Sequence, residues 1–390
     1  MIDRDLSSRV QKAARQFPAV TVTGPRQSGK STLCQKLFPK LAYANLEAPD
    51  TRAFATQDPR AFLANFPKGA VIDEVQRVPE LPSYLQGIID ADPKPGRWIL
   101  TGSQNLALLE SVSQSLAGRS AVLHLLPLAR SEVIRFKRHP QTLEETILAG
   151  GYPRIFDRNL DPSEWLRSYV GTYIERDVRS LSMIGDLTTF QRFVELCAGR
   201  TSQLLNYSSL AADCGVSQPT AKAWLSVLET SFIAFRLPGF HTSLRKRLVK
   251  MPKLHFYDTG LACWLLGIRS PDQLRSHPLR GAIFETWVVS EILKHRMNRG
   301  EPAGLYFYRD RDAAEVDLII EHGGRLTLVE AKAAETASSN LFAGARRVQD
   351  HLADSSRPCR VVVAYGGNDS QSRSNGKLVP WFQLHKEEWI

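Results

Sequence analysis

Eight consecutive residues, Gly24-Pro25-Arg26-Gln27-Ser28-Gly29-Lys30-Ser31, fit the pattern GxxxxGK[ST] in full, and Thr32 follows them. Glycines in such a loop let backbone N–H groups curl around an anion at the start of a helix. Lys30 adds a point charge for the β- and γ-phosphates of a nucleotide, and Ser31 a hydroxyl that can ligate Mg²⁺. The pattern carries weight only between a strand and a helix. AVTVT (19–23) supplies the strand and the residues from Thr32 onward the helix. Gly24 through Thr32 is therefore the expected phosphate cradle, with ATP and Mg²⁺ as its ligands.

The run Gly69-Ala70-Val71-Ile72-Asp73-Glu74 is an apolar strand ending in two carboxylates. Beside a phosphate loop this is the Walker B arrangement: Asp73 holds the Mg²⁺ shell and Glu74 polarises the attacking water as general base. A further strand, Trp98-Ile99-Leu100-Thr101, runs into Gly102-Ser103-Gln104, where Ser103 is the expected γ-phosphate sensor in preference to Gln104. Arg119, closing Leu116-Ala117-Gly118-Arg119, has two readings. It is a finger on developing phosphate charge, reaching in from a neighbouring copy in a homo-oligomer, or it is a structural or surface arginine.

In the C-terminal part, Gly323-Gly324 is a two-residue hairpin signal between alternating strands. A tight turn there pairs His322 with Arg325, which sets Asp317 opposite Glu330 and Glu315 opposite Lys332 on one face. Facing carboxylates repel, so the register calls for a compensating charge; Mg²⁺ between them with Lys332 alongside supplies it. Glu285 lies on a helix, on the same stripe as Val288, Val289 and Ile292, where an apolar residue is expected.

In the middle, Ser208–Asp213 reads as a short helix, Cys214-Gly215-Val216 as a turn, and Ser217 as the cap of a second helix reaching about Thr230. Ala221, Trp224, Leu225 and Leu228 form its buried face, and Gln218, Lys222 and Ser226 the opposite one, as in a recognition helix facing a major groove. FIAFRL and KLHFYD complete a winged-helix pattern, with Arg245, Lys246, Arg247 and Lys250 between them suited to DNA phosphates. A packing module with a solvated basic loop is the other reading.

These pieces need elements to hold them. The first 150 residues alternate β-branched runs (AVTVTG, LAYANLE, GAVIDEV, RWILTGS, AVLHLLP) with helical stretches, which predicts a parallel α/β sheet. The expected parts are a P-loop domain at 1–150, a helical and winged-helix part at 151–275, and a second α/β domain at 276–390. The 390 residues are 43% hydrophobic and 23% charged, with a formal charge of +10. That composition is globular, and a basic balance suits polyanions without choosing among them. No apolar run approaches the ~20 residues of a bilayer span, so no membrane association is expected. The five cysteines are scattered, as fits reduced thiols in a cytoplasm.

GPRQSGKST, VIDEVQ with Pro79, ILTGSQ, SLAGR, GGYPR and YIERDV (173–178) together resemble a large prokaryotic family of AAA-type ATPases. In it a P-loop domain is fused to a C-terminal domain of unknown function related to restriction-endonuclease-like proteins. The resemblance implies ATP binding and hydrolysis. Asp…Glu-Ala-Lys also resembles the PD-(D/E)xK nucleases, implying metal ligation by Asp317 and Glu330, completed by Glu285, and water activation by Lys332. The expectation is a cytoplasmic ATPase acting on DNA, with branched or broken DNA among its candidate substrates. Two alternatives stay open: an ATP-gated metal-dependent endonuclease, and a nucleotide-switched scaffold on an inactive nuclease fold.

Overall fold

The computed structural model describes residues 2–103, 115–172, 186–240, 251–310, 314–352 and 357–389. Two compact units emerge: Met1–Pro127 with Thr230–Phe232 and Met297–Gly300, and Leu128–Glu229 with Ile233–Arg296 and Glu301–Ile390.

The first unit is built on five parallel strands: β1 (Ala19–Thr23), β2 (Ala42–Asn45), β3 (Ala70–Asp73), β4 (Trp98–Gly102) and β5 (Ser120–His124). Their order is β2-β3-β4-β1-β5. Period-two alternation sends Val20, Val22, Val71 and Ile99 to one face, where they meet Val10 and Ala13 of the helix Ser7–Ala14. Ala19, Ala70, Ile72, Trp98 and Leu100 face the other way, onto Leu81, Leu85 and Ile89 of the helix Leu81–Ala91. Strands covered on both faces read as continuous apolar runs, and burying each such side chain stabilises the unit by roughly 1.5–3 kcal/mol.

In the second unit the helices Leu187–Ala198, Tyr207–Cys214 and Gln218–Thr230 accompany a sheet of order β6-β8-β7. Its strands are β6 (Gln203–Leu204), β7 (Ala234–Leu237) and β8 (Lys253–Phe256). This is the helix-turn-helix with two strands read from the sequence. Gly215 takes the left-handed φ of 76° at the turn, and Ser217 Oγ accepts from Thr220 N at 3.2 Å. Trp224 packs edge-on against Phe190 and Phe193, with centroids 5.3 and 5.4 Å apart.

The same unit carries a mixed six-stranded sheet: β9 (Leu305–Arg309), β10 (Glu315–His322), β11 (Arg325–Lys332), β12 (Cys359–Tyr365), β13 (Gln371–Arg373) and β14 (Gly376–Pro380), in the order β13-β14-β12-β11-β10-β9. β10 and β11 form the expected hairpin, with His322 opposite Arg325 and Leu318 opposite Val329. Gly323 and Gly324 have φ of 54° and 78°, the pair of positive values a tight primed turn demands.

The second of these units begins at Leu128. Residues after Pro127 join the second unit because Lys294 donates to the Leu128 carbonyl at 3.2 Å and Gly151 N to Asp258 at 2.7 Å. Among the described residues no helix is long and apolar enough to cross a membrane.

Candidate functional site

The loop after β1 leads into the helix Lys30–Leu37. Gly24 has φ of +148°, and a Cβ there would stand 2.2 Å from the Leu125 carbonyl oxygen, so only glycine fits. Gly29 takes φ of 93° just before the helix, turning its first N–H groups toward the loop. Lys30 is buried and donates to the carbonyls of Gly24 (3.0 Å) and Pro25 (2.8 Å), two of its three protons. Burial pushes its pKa down to about 8, against the opposing pull of Glu74 and Asp73. Ser28 Oγ is buried with no hydrogen-bond partner among the described residues. An orphaned hydroxyl and a desolvated ammonium inside one cradle fit an anionic ligand. Arg4 braces the loop, donating to the Ser28 carbonyl at 2.6 Å and to that of Leu126 at 2.8 Å.

Asp73 ends β3, and both its oxygens are held: Thr101 Oγ1 donates to Oδ1, and the Tyr43 hydroxyl to Oδ2 at 2.6 Å. Burial, then this bond, raises the Tyr43 pKa. Each carboxylate oxygen keeps a lone pair, so Asp73 remains competent to join a Mg²⁺ shell with Ser31. Glu74 stands in the left-handed region at φ 57°, ψ 43°, a conformation costing about 1–3 kcal/mol and typical of functional positions. Gln76 and Ser103 donate to its Oε2, the latter at 2.9 Å. β1, β3 and β4 are neighbours, so their carboxyl ends gather Lys30, Asp73, Glu74 and Ser103. Tyr43, Thr101 and Gln76 were not among the candidates. Thr101 had a signal, a polar residue at the carboxyl end of an apolar strand.

Arg119 stands away from the phosphate loop of its own chain. It precedes β5, which runs parallel to β1 with Ser120 opposite Ala19. It therefore sits at the amino edge of the sheet, one strand length, about 16 Å, from the phosphate loop. There it pairs with Asp90, its Nη2 donating to Oδ2 at 2.9 Å. It cannot reach the nucleotide site of its own chain. Gln104 and residues 173–178 lie outside the described residues.

The C-terminal carboxylates do converge. Lys332 lies 2.8 Å from Glu330 and 3.9 Å from Asp317, and Asp317 accepts from Ala331 N at 2.8 Å. The compensating charge, however, is not a site for metal. Lys253, the first residue of β8, is 3% exposed and reaches Glu285 (3.0 Å), Glu315 (2.9 Å) and Asp317 (4.0 Å). Among the described residues no three His, Cys, Asp or Glu side chains are disposed to hold a metal ion. The expected ligation by Glu285, Asp317 and Glu330 is thus replaced by an ammonium on a tether. Burial raises the pKa of Glu285 and Glu330, and Asp317 adds to it. Lys253 is raised because Glu285, Asp317 and Glu315 outweigh its own burial.

On the helix Gln218–Thr230, Gln218 and Lys222 are exposed and Ser226 half-buried, while Ala221, Trp224, Leu225 and Leu228 are buried. Lys222 also lies over the Tyr207 ring at 5.5 Å. Arg245, Lys246, Arg247 and Lys250 lie outside the described residues.

Comparison with known proteins finds three matching segments. Residues 16–134 match the AAA domain, residues 140–272 a domain of unknown function (DUF8612), and residues 280–384 another (DUF4143). The uncharacterized proteins Rv2008c of Mycobacterium tuberculosis and Mb2031c of Mycobacterium bovis are each 30% identical over 369 residues, covering 93% of this chain and 80% of theirs. The uncharacterized protein MJ1544 of Methanocaldococcus jannaschii is 22% identical over 275 residues, covering 65% of this chain and 58% of its own. Among solved structures, the Walker-type ATPase PABY2304 of Pyrococcus abyssi aligns with a TM-score of 0.43 at 17% identity, covering 68% of this chain and 96% of that one.

Proposed function

The chain belongs to the same family as Rv2008c and Mb2031c and carries an AAA domain ahead of two domains of unknown function, and on that premise we propose that it hydrolyses ATP to drive an action on DNA. The hydrolytic half rests on one observation, the convergence of Lys30, Asp73, Glu74 and Ser103 at the carboxyl ends of three adjacent strands. Backbone N–H groups of Gly24–Thr32 and the Lys30 ammonium hold the phosphates. Ser31 and Asp73 would hold Mg²⁺, which when bound supplies positive charge against the phosphate oxygens. Glu74 orients the attacking water and takes its proton. Steady-state hydrolysis, measured with and without duplex and branched DNA, tests both halves. Mg²⁺-dependent turnover that rises with DNA is expected. No turnover would sink the enzyme, and turnover indifferent to DNA would remove the second half.

The DNA half is supported by the +10 charge and the exposed Gln218 and Lys222. Replacing Arg245, Lys246 and Arg247 with alanine is expected to weaken binding at all sequences alike. The salt slope should flatten by roughly 0.9 for each phosphate that is no longer neutralised. Unchanged affinity and slope in a salt titration would leave the winged helix as a packing module.

A second reading, a nucleotide-switched scaffold on an inactive nuclease-like fold, is favoured by Lys253, which fills the carboxylate centre where a metal was expected. It predicts no metal-dependent cleavage of DNA by the full chain.

A further inference from the structure

The second unit holds a cavity of about 410 Å³ that takes no part in the nucleotide site. That volume lies within the usual range of small-molecule sites. Leu148, Ile155, Phe156, Leu166 and Trp264 give it an apolar lining, carried on the helices Leu143–Ala149, Pro153–Asp157, Pro162–Tyr169 and Thr259–Leu265. The first and last of these are locked together. A Cβ at Gly260 would stand 2.8 Å from the Leu148 carbonyl oxygen, so their close approach preforms the wall. Arg138 and Arg269 line the same cavity. The Arg269 guanidinium stands 4.7 Å over the Trp264 ring, and its Nη1 donates to the carbonyls of Trp264 (2.6 Å), Ile268 (3.2 Å) and Cys263 (3.4 Å). Those bonds engage only Nη1. Nε and Nη2, two parallel donors on one edge of the fork, have no acceptor among the described residues.

The two acids of the lining are engaged at helix starts. Glu145 accepts from the backbone N–H groups of Gln141 and Thr142 at 2.9 and 3.2 Å, and Asp161 from that of Glu164 at 2.9 Å. Among the described residues Arg138, Arg269 and Arg167, whose charge acts on Arg269, form no ion pair. Burial, and then the Arg167 guanidinium, hold the Arg269 pKa below its ordinary value. We propose that this cavity binds a small amphipathic carboxylate, its apolar body against Phe156 and Trp264 and its head on the Nε and Nη2 edge of Arg269, with Arg138 adding charge. Two parallel N–H groups match the two oxygens of a carboxylate. A purely inorganic anion would gain nothing from the apolar wall, and a neutral apolar ligand would leave the donors unanswered. All of the lining except Arg138 and His139 falls in residues 140–272, so the site belongs to a domain of unknown function.

Decanoate is the probe and decanol its uncharged counterpart, each titrated calorimetrically into the full chain without nucleotide. One saturable decanoate site is expected, with decanol bound about tenfold or more weakly, the scale of a hydrogen bond to a charged group. Arg269→Gln should lower decanoate affinity about tenfold and Arg138→Gln about threefold, with decanol within about twofold of wild type in both. Arg138 makes no bond within the described residues, so its variant keeps the test free of a folding defect. Leu148→Trp, which fills the cavity, should remove both ligands. The proposal is overturned if decanoate shows no saturable binding, or if acid and alcohol bind equally well. Wild-type decanoate affinity in both arginine variants would also overturn it.

Discussion

Lys30→Ala is expected to reduce ATP affinity by at least about thirtyfold, the lower end of the ~2–5 kcal/mol lost when one member of a buried charge pair is truncated. Glu74→Gln is expected to keep binding and to lower turnover by roughly 10²–10⁴. The two separate the phosphate cradle from the water-polarising base, and unchanged hydrolysis in the second variant would sink the base assignment. The site adds a pH signature. Burial has pushed Lys30 down to about 8 from the usual 10.5, so in the free protein its charge is lost as pH rises through 8. Phosphates favour the ammonium, so binding above that pH must first draw a proton on. Affinity should be flat below pH 8 and fall toward about tenfold per unit above it. A titration by equilibrium binding that stays flat to pH 10 would show that Lys30 remains charged throughout.

What could be read in advance was what local pattern determines. Strands β1, β3 and β4 of the first unit are apolar, largely β-branched runs, and the Gly323-Gly324 turn, whose glycines both take positive φ, set the hairpin register that pairs His322 with Arg325 and Leu318 with Val329. For Arg119, strand order alone separates its own nucleotide site from that of a neighbouring copy. A residue just before a strand parallel to β1 must lie at the edge opposite the loop that follows β1. Gln76 was visible only as a letter of VIDEVQ, since nothing in its spacing says that its amide turns back to Glu74. β13 and β14, three and five residues long, carry too little alternation to register. Lys253 was the hardest. In sequence it is the opening residue of an ordinary strand, and its partners Glu285, Glu315 and Asp317 come from a later helix and a later hairpin. Only the tertiary fold turns an expected metal centre into a salt-bridged one.

That lysine makes the last large effect. Lys253→Met is expected to destabilise the chain by about 3–5 kcal/mol, the usual consequence of leaving buried charge without its partner. Glu285, Glu315, Asp317 and Glu330 would then share Lys332, with Arg309 near Glu315 at 3.8 Å. Adding Glu285→Gln to Lys253→Met removes one of the stranded charges and should recover much of the loss, which separates an electrostatic cause from a packing one. The pH dependence follows from the raised pKa values of Glu285 and Glu330. Carboxylates whose folded pKa lies above the unfolded value favour the fold at low pH and lose that contribution as pH rises through the folded pKa. Removing Lys253, whose charge holds Glu285 down, raises the Glu285 pKa further, so the deficit of Lys253→Met relative to wild type should be largest near pH 8 and shrink toward pH 5. Denaturant unfolding at several pH values measures it. Mn²⁺ should leave the wild-type midpoint where it is, because an ammonium already stands among the carboxylates. A rise of several degrees would mean that the ion enters despite Lys253, and the lysine could not then be the resident counter-charge of this centre.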